Sequence, residues 1–319
     1  MEGVVEKNKI DGFDYAQKIN QKLSALIQKV RDVYNITPNI AVIMVGDNPA
    51  SEIYVKNKIK LSEKLGIKAN LMRYSPNIQE KELIAQIQLL NQNKEINGIM
   101  VQLPLPEHIN KDVVLLSISP EKDIDGLHPF NAGLLHCSKN VPYNIDEVLT
   151  DKLLDLNFRQ KIKQLGKTIP FIPCTPLGCL HLIRHTLEKE HETITGKNAV
   201  IFGNSNLVSK PLARLLLQEG ASVTTLHSKS KDYENIISTA DIIVSATGHF
   251  QNLQHIKNTA ILIDVGIRQQ PDSNKITGDL DFNNIVKTNK ITPVPKGVGP
   301  MTIASLMLNS YLSAIKNLE

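Results

Sequence analysis

The chain has 319 residues, 41% of them hydrophobic and 21% charged, with a formal net charge of +4. This is the make-up of a globular protein with a sizeable core and room for two domains. No basic block and no tryptophan point to nucleic acid, no apolar run approaches the ~20 residues of a bilayer span, and the modest positive balance suits an anionic small molecule.

From the N-terminus, "MEGVVEKNKI" is polar and carries no leader pattern. Ala16, Ile19, Leu23, Leu26, Ile27 and Val30 recur at helical spacing and predict a helix over 13–33. "NIAVIMVG" (39–46) reads as a buried strand. A helix follows over 51–66, with Ser51 as N-cap and Gly66 as its stop. "IKANLMRYS" is a second strand, 79–92 a helix, and "NGIMVQLPLP" (97–106) a third strand ending in prolines. Strands alternating with helices predict a parallel sheet covered on both faces.

Residues 137–172 fit no such pattern and are read as an insertion or linker. A second alternating set starts near 197. "KNAVIFG", "ASVTTLHS", "ADIIVSATG" and "TAILIDVG" are strands and "KPLARLLLQEG" a helix. This is the doubly wound pattern. A final helix over 301–317 follows a loop rich in proline and glycine, and is long enough to cross back onto the first domain. The expected class is α/β with two domains: 1–172, a Rossmann-like dinucleotide-binding domain over 173–294, and a returning loop and helix over 295–319.

"GNSNLVSKP" (203–211) stands where such a fold turns around a pyrophosphate. Gly203 permits close backbone approach, Ser205 can cap or donate, Pro211 sits near the helix start and Gly220 ends the helix. An ordinary strand-to-helix loop accounts for the same residues. The next strand ends in His227, Ser228 and Lys229 rather than an acidic residue, which favours a ribose phosphate, hence NADP over NAD; a solvated polar turn is the alternative. The three cysteines, Cys137, Cys174 and Cys179, are too few and too poorly spaced for zinc or a disulfide framework, and a reducing compartment is expected. His181 and His185, with His191 nearby, lack a third ligand, so no metal is expected.

Eight stretches in order resemble the bifunctional methylenetetrahydrofolate dehydrogenase/methenyltetrahydrofolate cyclohydrolase family: "VGDNPASEIYVKNKIKLSEKLGI", "GIMVQLPLP", "PEKDIDGLHPFNAG", "PCTPLG", "GKNAVIFGNSNLVSKPLARLL", "IDVGI", "GDLDF" and "TPVPKGVGPMT". The resemblance implies a folate-binding catalytic domain, a second domain holding NADP (NAD possible), tetrahydrofolate derivatives as substrates, a homodimer and a cytoplasmic location. It implies that Lys58 assists hydrolysis, that Gln102 tunes it, that Tyr54 covers a flat ring of the substrate, and that Asp125 binds the pterin, with Ser51 in the same site. The neighbouring Asp123 is an alternative to Asp125. Pro295, Gly297, Gly299 and Pro300 form the loop placed against folate. Gly203, Asn204, Ser205, Ser228, Thr247, Gly248, Gly266 and Ile267 are the implied cofactor contacts. Three positions depart from the family's pattern: Asn204 for an arginine, Ser209 for a glycine and Lys296 for a glycine. These departures keep open a cyclohydrolase with an impaired dehydrogenase site. A non-catalytic folate-binding protein is a further alternative.

Overall fold

The structure is a computed structural model and describes residues 2–139, 149, 170–269 and 276–316. Most of the 137–172 segment lies outside the described residues. The chain forms two compact units. Residues up to Lys18 group with Pro173–Ser305, while Ile19–Cys137 groups with the chain from Leu306 onward.

Helix α1 (Glu2–Asn8) and the first turns of α2 (Gly12–Tyr34) therefore belong to the later unit. The local reason is pairing: Lys9 bridges Ile291 and the Ile10 amide donates to the Ile291 carbonyl at 2.9 Å. The rest of α2 buries Ile19, Leu23, Leu26, Ile27 and Val30, the stripe that its sequence spacing predicts.

The first unit is built on three parallel strands: β1 (Asn39–Val45), then α3 (Pro49–Leu65), β2 (Lys68–Tyr74), α4 (Glu80–Gln92) and β3 (Gly98–Val101). Every residue of β1 is buried because it is the central strand, in the order β2-β1-β3. Ala41, Ile43 and Val45 pack with Leu83 and Ile87 of α4 in one core cluster. The third strand is shorter than expected. It stops at Val101, before the prolines that cannot donate to a ladder. Helix α3 begins two residues earlier than its sequence suggests. Its N-cap is Asn48, whose side chain accepts from the Ser51 amide at 3.1 Å, and Pro49 occupies the first turn. Ser51 is thus inside the helix and not its cap. Gly66 ends it as expected, at φ 83. Two short helices, α5 (Lys111–Ser117) and α6 (Pro129–Cys137), complete this part.

The second unit opens with α7 (Cys174–Glu188), then β4 (Asn198–Phe202), α8 (Ser209–Gln218), β5 (Ser222–Leu226), α9 (Tyr233–Ser238), β6 (Ile242–Ser245) and β7 (Ile261–Asp264). A small antiparallel pair follows, β8 (Arg268–Gln269) with β9 (Ile276–Thr277), then α10 (Phe282–Ile285) and β10 (Lys290–Ile291). The five-stranded sheet is all parallel, in the order β10-β7-β6-β4-β5. The chain moves from β4 to β5 on one side, then crosses to β6 on the other. The doubly wound expectation holds, and β10 adds an edge strand too short to read from sequence.

The last helix, α11 (Val298–Ile315), is apolar enough to cross a membrane by length and composition, yet 72% of it is buried within the protein. Its second half returns onto the three-stranded unit as expected. Asn309 donates to the Ile124 carbonyl at 2.8 Å and to the Ile172 carbonyl at 3.0 Å, and Ser313 bonds the Asn97 carbonyl.

Candidate active site

In open parallel sheets, ligands bind outside the carboxyl ends of the strands, where the strand order reverses. In the three-stranded unit that place lies between β1 and β3. Gln102 occupies it. Its amide donates to the Ile43 carbonyl at 2.8 Å, extending the ladder one residue past Val101. Its side-chain nitrogen donates to the Leu103 carbonyl at 2.7 Å. That bond orients the amide, so Oε1 faces α3 and accepts from Lys58 Nζ at 3.0 Å. Lys58 is half-buried, and Tyr54 lies one turn earlier on the same face of the helix. Burial pushes the Tyr54 hydroxyl above its ordinary value, so it stays a neutral phenol. The exposed ion pair of Glu52 with Arg73 ties the first turn of α3 to β2.

Gln102 is uncharged, and among the described residues no carboxylate pairs with Lys58. The ammonium is therefore held in place without being neutralised. Such a group can hand a proton to, or take one from, a bound molecule.

Asp123 and Asp125 have different places. Asp123 is 1% exposed; its Oδ2 accepts from the His128 amide at 2.8 Å and from Asn131 Nδ2 at 2.9 Å. Burial pushes its pKa up. Asp123 is an internal brace for the turn that leads into α6. Asp125, on the same turn, is half-buried and remains the residue with a surface to offer.

In the five-stranded unit the reversal lies between β4 and β6. Gly203 follows β4 at φ 130, and a Cβ there would lie 2.6 Å from Ser209 Oγ and 2.8 Å from the Ala246 carbonyl oxygen. Only glycine fits both the angle and the space. Ser205 Oγ accepts from the Val208 amide at 3.0 Å and the Ser209 amide at 3.4 Å, so it organises the entry to α8. Asn204 is exposed, and Ser209 is fully buried with its hydroxyl unpartnered. Ser228 and Lys229 are exposed beyond β5, on a turn closed by the bond from the His227 amide to Ser230 Oγ at 2.9 Å.

Two carboxylates that the sequence reading passed over organise the neighbouring strand ends. Asp279 is 0% exposed, and its Oδ2 accepts from Ser245 Oγ (3.0 Å), the Thr247 amide (2.9 Å), Thr247 Oγ1 (3.0 Å) and the Gly248 amide (3.1 Å). Asp264 accepts from the amides of Gly266 (3.1 Å), Asp279 (2.9 Å) and Leu280 (2.9 Å). Burial, reinforced by the Asp279 charge and opposed by those amides, pushes Asp264 up to about 6. The available signal was an aspartate ending an apolar strand directly before a Val-Gly pair. Thr247, Gly248 and Gly266 are all gathered by this pair of side chains, while Ile267 stands 52% exposed beside them.

The residues of the loop before α11 have unequal surroundings. A Cβ on Gly297 would fall 2.4 Å from the Pro293 carbonyl oxygen, and a Cβ on Gly12 would fall 2.0 Å from the Gly297 oxygen. Gly297 is therefore needed by the loop's own packing. Gly299 has nothing within 4 Å of such an atom, Pro295 is exposed and Pro300 is half-buried in the first turn of α11. Lys296 is exposed and left-handed at φ 82, and its carbonyl accepts from the Phe13 amide at 2.9 Å. A side chain at that angle is strained. Lys296→Gly is expected to raise stability by up to about 1 kcal/mol, read as a higher urea midpoint at unchanged slope.

His181 lies in the core, where burial holds its pKa down at about 3, and His185 stacks on Tyr15 with ring centroids 3.9 Å apart. The two histidines thus serve packing.

Comparison with known proteins adds the family. The model for the catalytic domain of tetrahydrofolate dehydrogenase/cyclohydrolase matches residues 10–125, and that for its NAD(P)-binding domain matches 173–318. The bifunctional protein FolD of Rickettsia bellii is 45% identical over 307 residues, covering 95% of this chain and 96% of the relative. That of Streptococcus pyogenes is 40% identical over 311 residues, covering 97% and 98%. Among solved structures, the FolD enzyme of Campylobacter jejuni superposes with a TM-score of 0.81 at 40% identity, covering 96% and 97%. The Trypanosoma brucei dehydrogenase-cyclohydrolase, solved with NADP and an inhibitor, gives 0.78 at 30% identity, covering 97% of each chain. The likeness runs through both units at well over 30% identity in its bacterial relatives, and on that ground the chain belongs to the tetrahydrofolate dehydrogenase/cyclohydrolase family.

Proposed function

We propose that the chain oxidises 5,10-methylenetetrahydrofolate to the methenyl form with NADP and hydrolyses that product to 10-formyltetrahydrofolate. The observation that carries the hydrolytic half is the contact of Lys58 Nζ with Gln102 Oε1 at the reversal point of the three-stranded sheet. Lys58 moves the proton as water adds to the methenyl carbon and as the adduct opens. Gln102 Oε1 accepts one N–H of the Lys58 ammonium and brings no opposite charge to it. Tyr54 lies over the flat part of the substrate, and Asp125 accepts from the pterin's N–H groups.

The five-stranded unit fits a dinucleotide. Gly203 has no room for a side chain, α8 starts beside it, and a lysine and a serine stand exposed past β5. A dinucleotide held there would supply the acceptor for the hydride that leaves the methylene carbon, with the folate nitrogen supplying the electron push. The chain's own task in that step is to hold both rings in register and keep water out. On this reading the catalytic domain runs to residue 172, with its first eighteen residues lent to the dinucleotide domain (173–294), and 295–319 returns to complete it. A homodimer in the cytoplasm, without nucleic-acid or membrane partners, belongs to the same reading.

Exposed Asn204 and buried Ser209 favour one second reading, hydrolysis alone with an impaired dehydrogenase. Assaying both steps with NADP and NAD in parallel decides. The expected result is reduced NADP formed from methylenetetrahydrofolate, with NAD slower. Hydrolysis of the methenyl substrate with no reduction of either cofactor selects the second reading, and neither activity rejects both.

A further inference from the structure

We propose that Asp279 is a positioning residue for the dinucleotide, holding the Thr247–Gly248 strand end in its binding shape with Asp264 as its anchor. The inference rests on the reading that the five-stranded unit holds the cofactor. Four donors converge on one buried oxygen of Asp279. Two of those donors are backbone amides in the segment just past β6, beside the reversal point. The other oxygen of Asp279 is buried with no hydrogen-bond partner, and Arg268 Nε stays 3.9 Å away. An apolar side chain here would leave these four donors without their acceptor, so the carboxylate fixes the shape of the segment that carries them.

The second carboxylate makes the shape rigid. Asp264 Oδ1 accepts from both the Gly266 and the Asp279 amides, so the segments after β6 and β7 are joined through two side chains. Both glycines around them are obligatory. A Cβ on Gly266 would fall 2.0 Å from Asp279 Oδ1, and one on Gly278 would fall 2.0 Å from Asp264 Oδ2. Thr292 Oγ1 receives the Asp264 amide at 2.8 Å, which ties the same anchor to the end of β10.

Asp279→Asn keeps the volume and removes the charge. Weakening this anchor is expected to raise KM for NADP+ about tenfold or more, with kcat at saturating cofactor little changed. Hydrolysis of methenyltetrahydrofolate without any dinucleotide is expected to stay within about twofold of the parent. A wild-type KM in folded Asp279→Asn overturns the proposal, and so does an equal fall in both activities, which is the mark of a merely structural tie. Should that variant fail to fold, Ser245→Ala decides, because it removes a single bond to the same oxygen. Its expected result is a KM raised about threefold with hydrolysis retained, and an unchanged KM overturns the proposal. If the parent enzyme reduces no NADP+ at all, the dinucleotide reading itself has failed and takes this inference with it.

Discussion

Lys58→Met is expected to lower methenyltetrahydrofolate hydrolysis by at least about 10²-fold, the usual worth of a positioned acid–base group. Methionine keeps most of the volume of the lysine stem and removes the transferable proton. The helix should survive, since methionine is a good helix former and Lys58 is only half-buried. The cost to stability is the Oε1 of Gln102 left without its donor, about 1 kcal/mol. Folate binding, followed by equilibrium titration with the methylene substrate, should be nearly unchanged. Lys58→Arg should be inactive too, because a guanidinium keeps its proton throughout the accessible pH range. Decay of the methenyl chromophore is the readout, and parental decay in Lys58→Met would remove this residue from the reaction.

Gly203→Ala is expected to damage the other half of the molecule. The new methyl would lie 2.6 Å from Ser209 Oγ and 2.8 Å from the Ala246 carbonyl oxygen, at a φ of 130 that an L-residue rarely adopts. The serine can rotate only within a buried space, and the carbonyl belongs to the strand-end backbone. Overpacking and backbone strain together should cost about 3 kcal/mol. Any relaxation of the turn also moves the start of α8, so dehydrogenase turnover should fall at least about tenfold at fixed NADP+. Hydrolysis assayed without dinucleotide should outlast it, because Lys58 and Gln102 lie in the other unit. A variant with parental unfolding midpoint and parental KM for NADP+ would show that the turn has more room than its geometry implies.

Much of this was readable from the chain. The strands β1, β4, β6 and β7 are short apolar runs ended by glycine or polar residues, and local pattern reports such runs faithfully. Lys58 and Tyr54 four apart, and Gln102 ahead of two prolines, were visible for the same reason. Local pattern falls short where another residue competes for, or adds to, the decisive contact. Ser51 resembles a cap, but Asn48 with Pro49 behind it competes better for the same amide. Gly297 reads in sequence as a glycine placed against a ligand, and the structure adds a packing constraint from Pro293 and from Gly12, nearly the whole chain away. Asp123 and Asp125 are indistinguishable by spacing, and the structure separates the fully buried brace, held by donors from His128 and Asn131, from the half-buried Asp125.

What the amino-acid order determined by itself was the element types, the α/β class and the residue kinds available for proton transfer and phosphate binding. Only the tertiary structure decided the strand orders β2-β1-β3 and β10-β7-β6-β4-β5, and with them the two reversal points where Gln102 and Gly203 sit. It also decided that Asp264 and Asp279 meet. Hydrophobic periodicity states which face of a strand is buried but not which strand lies beside it. That choice is made by packing between segments far apart in the chain.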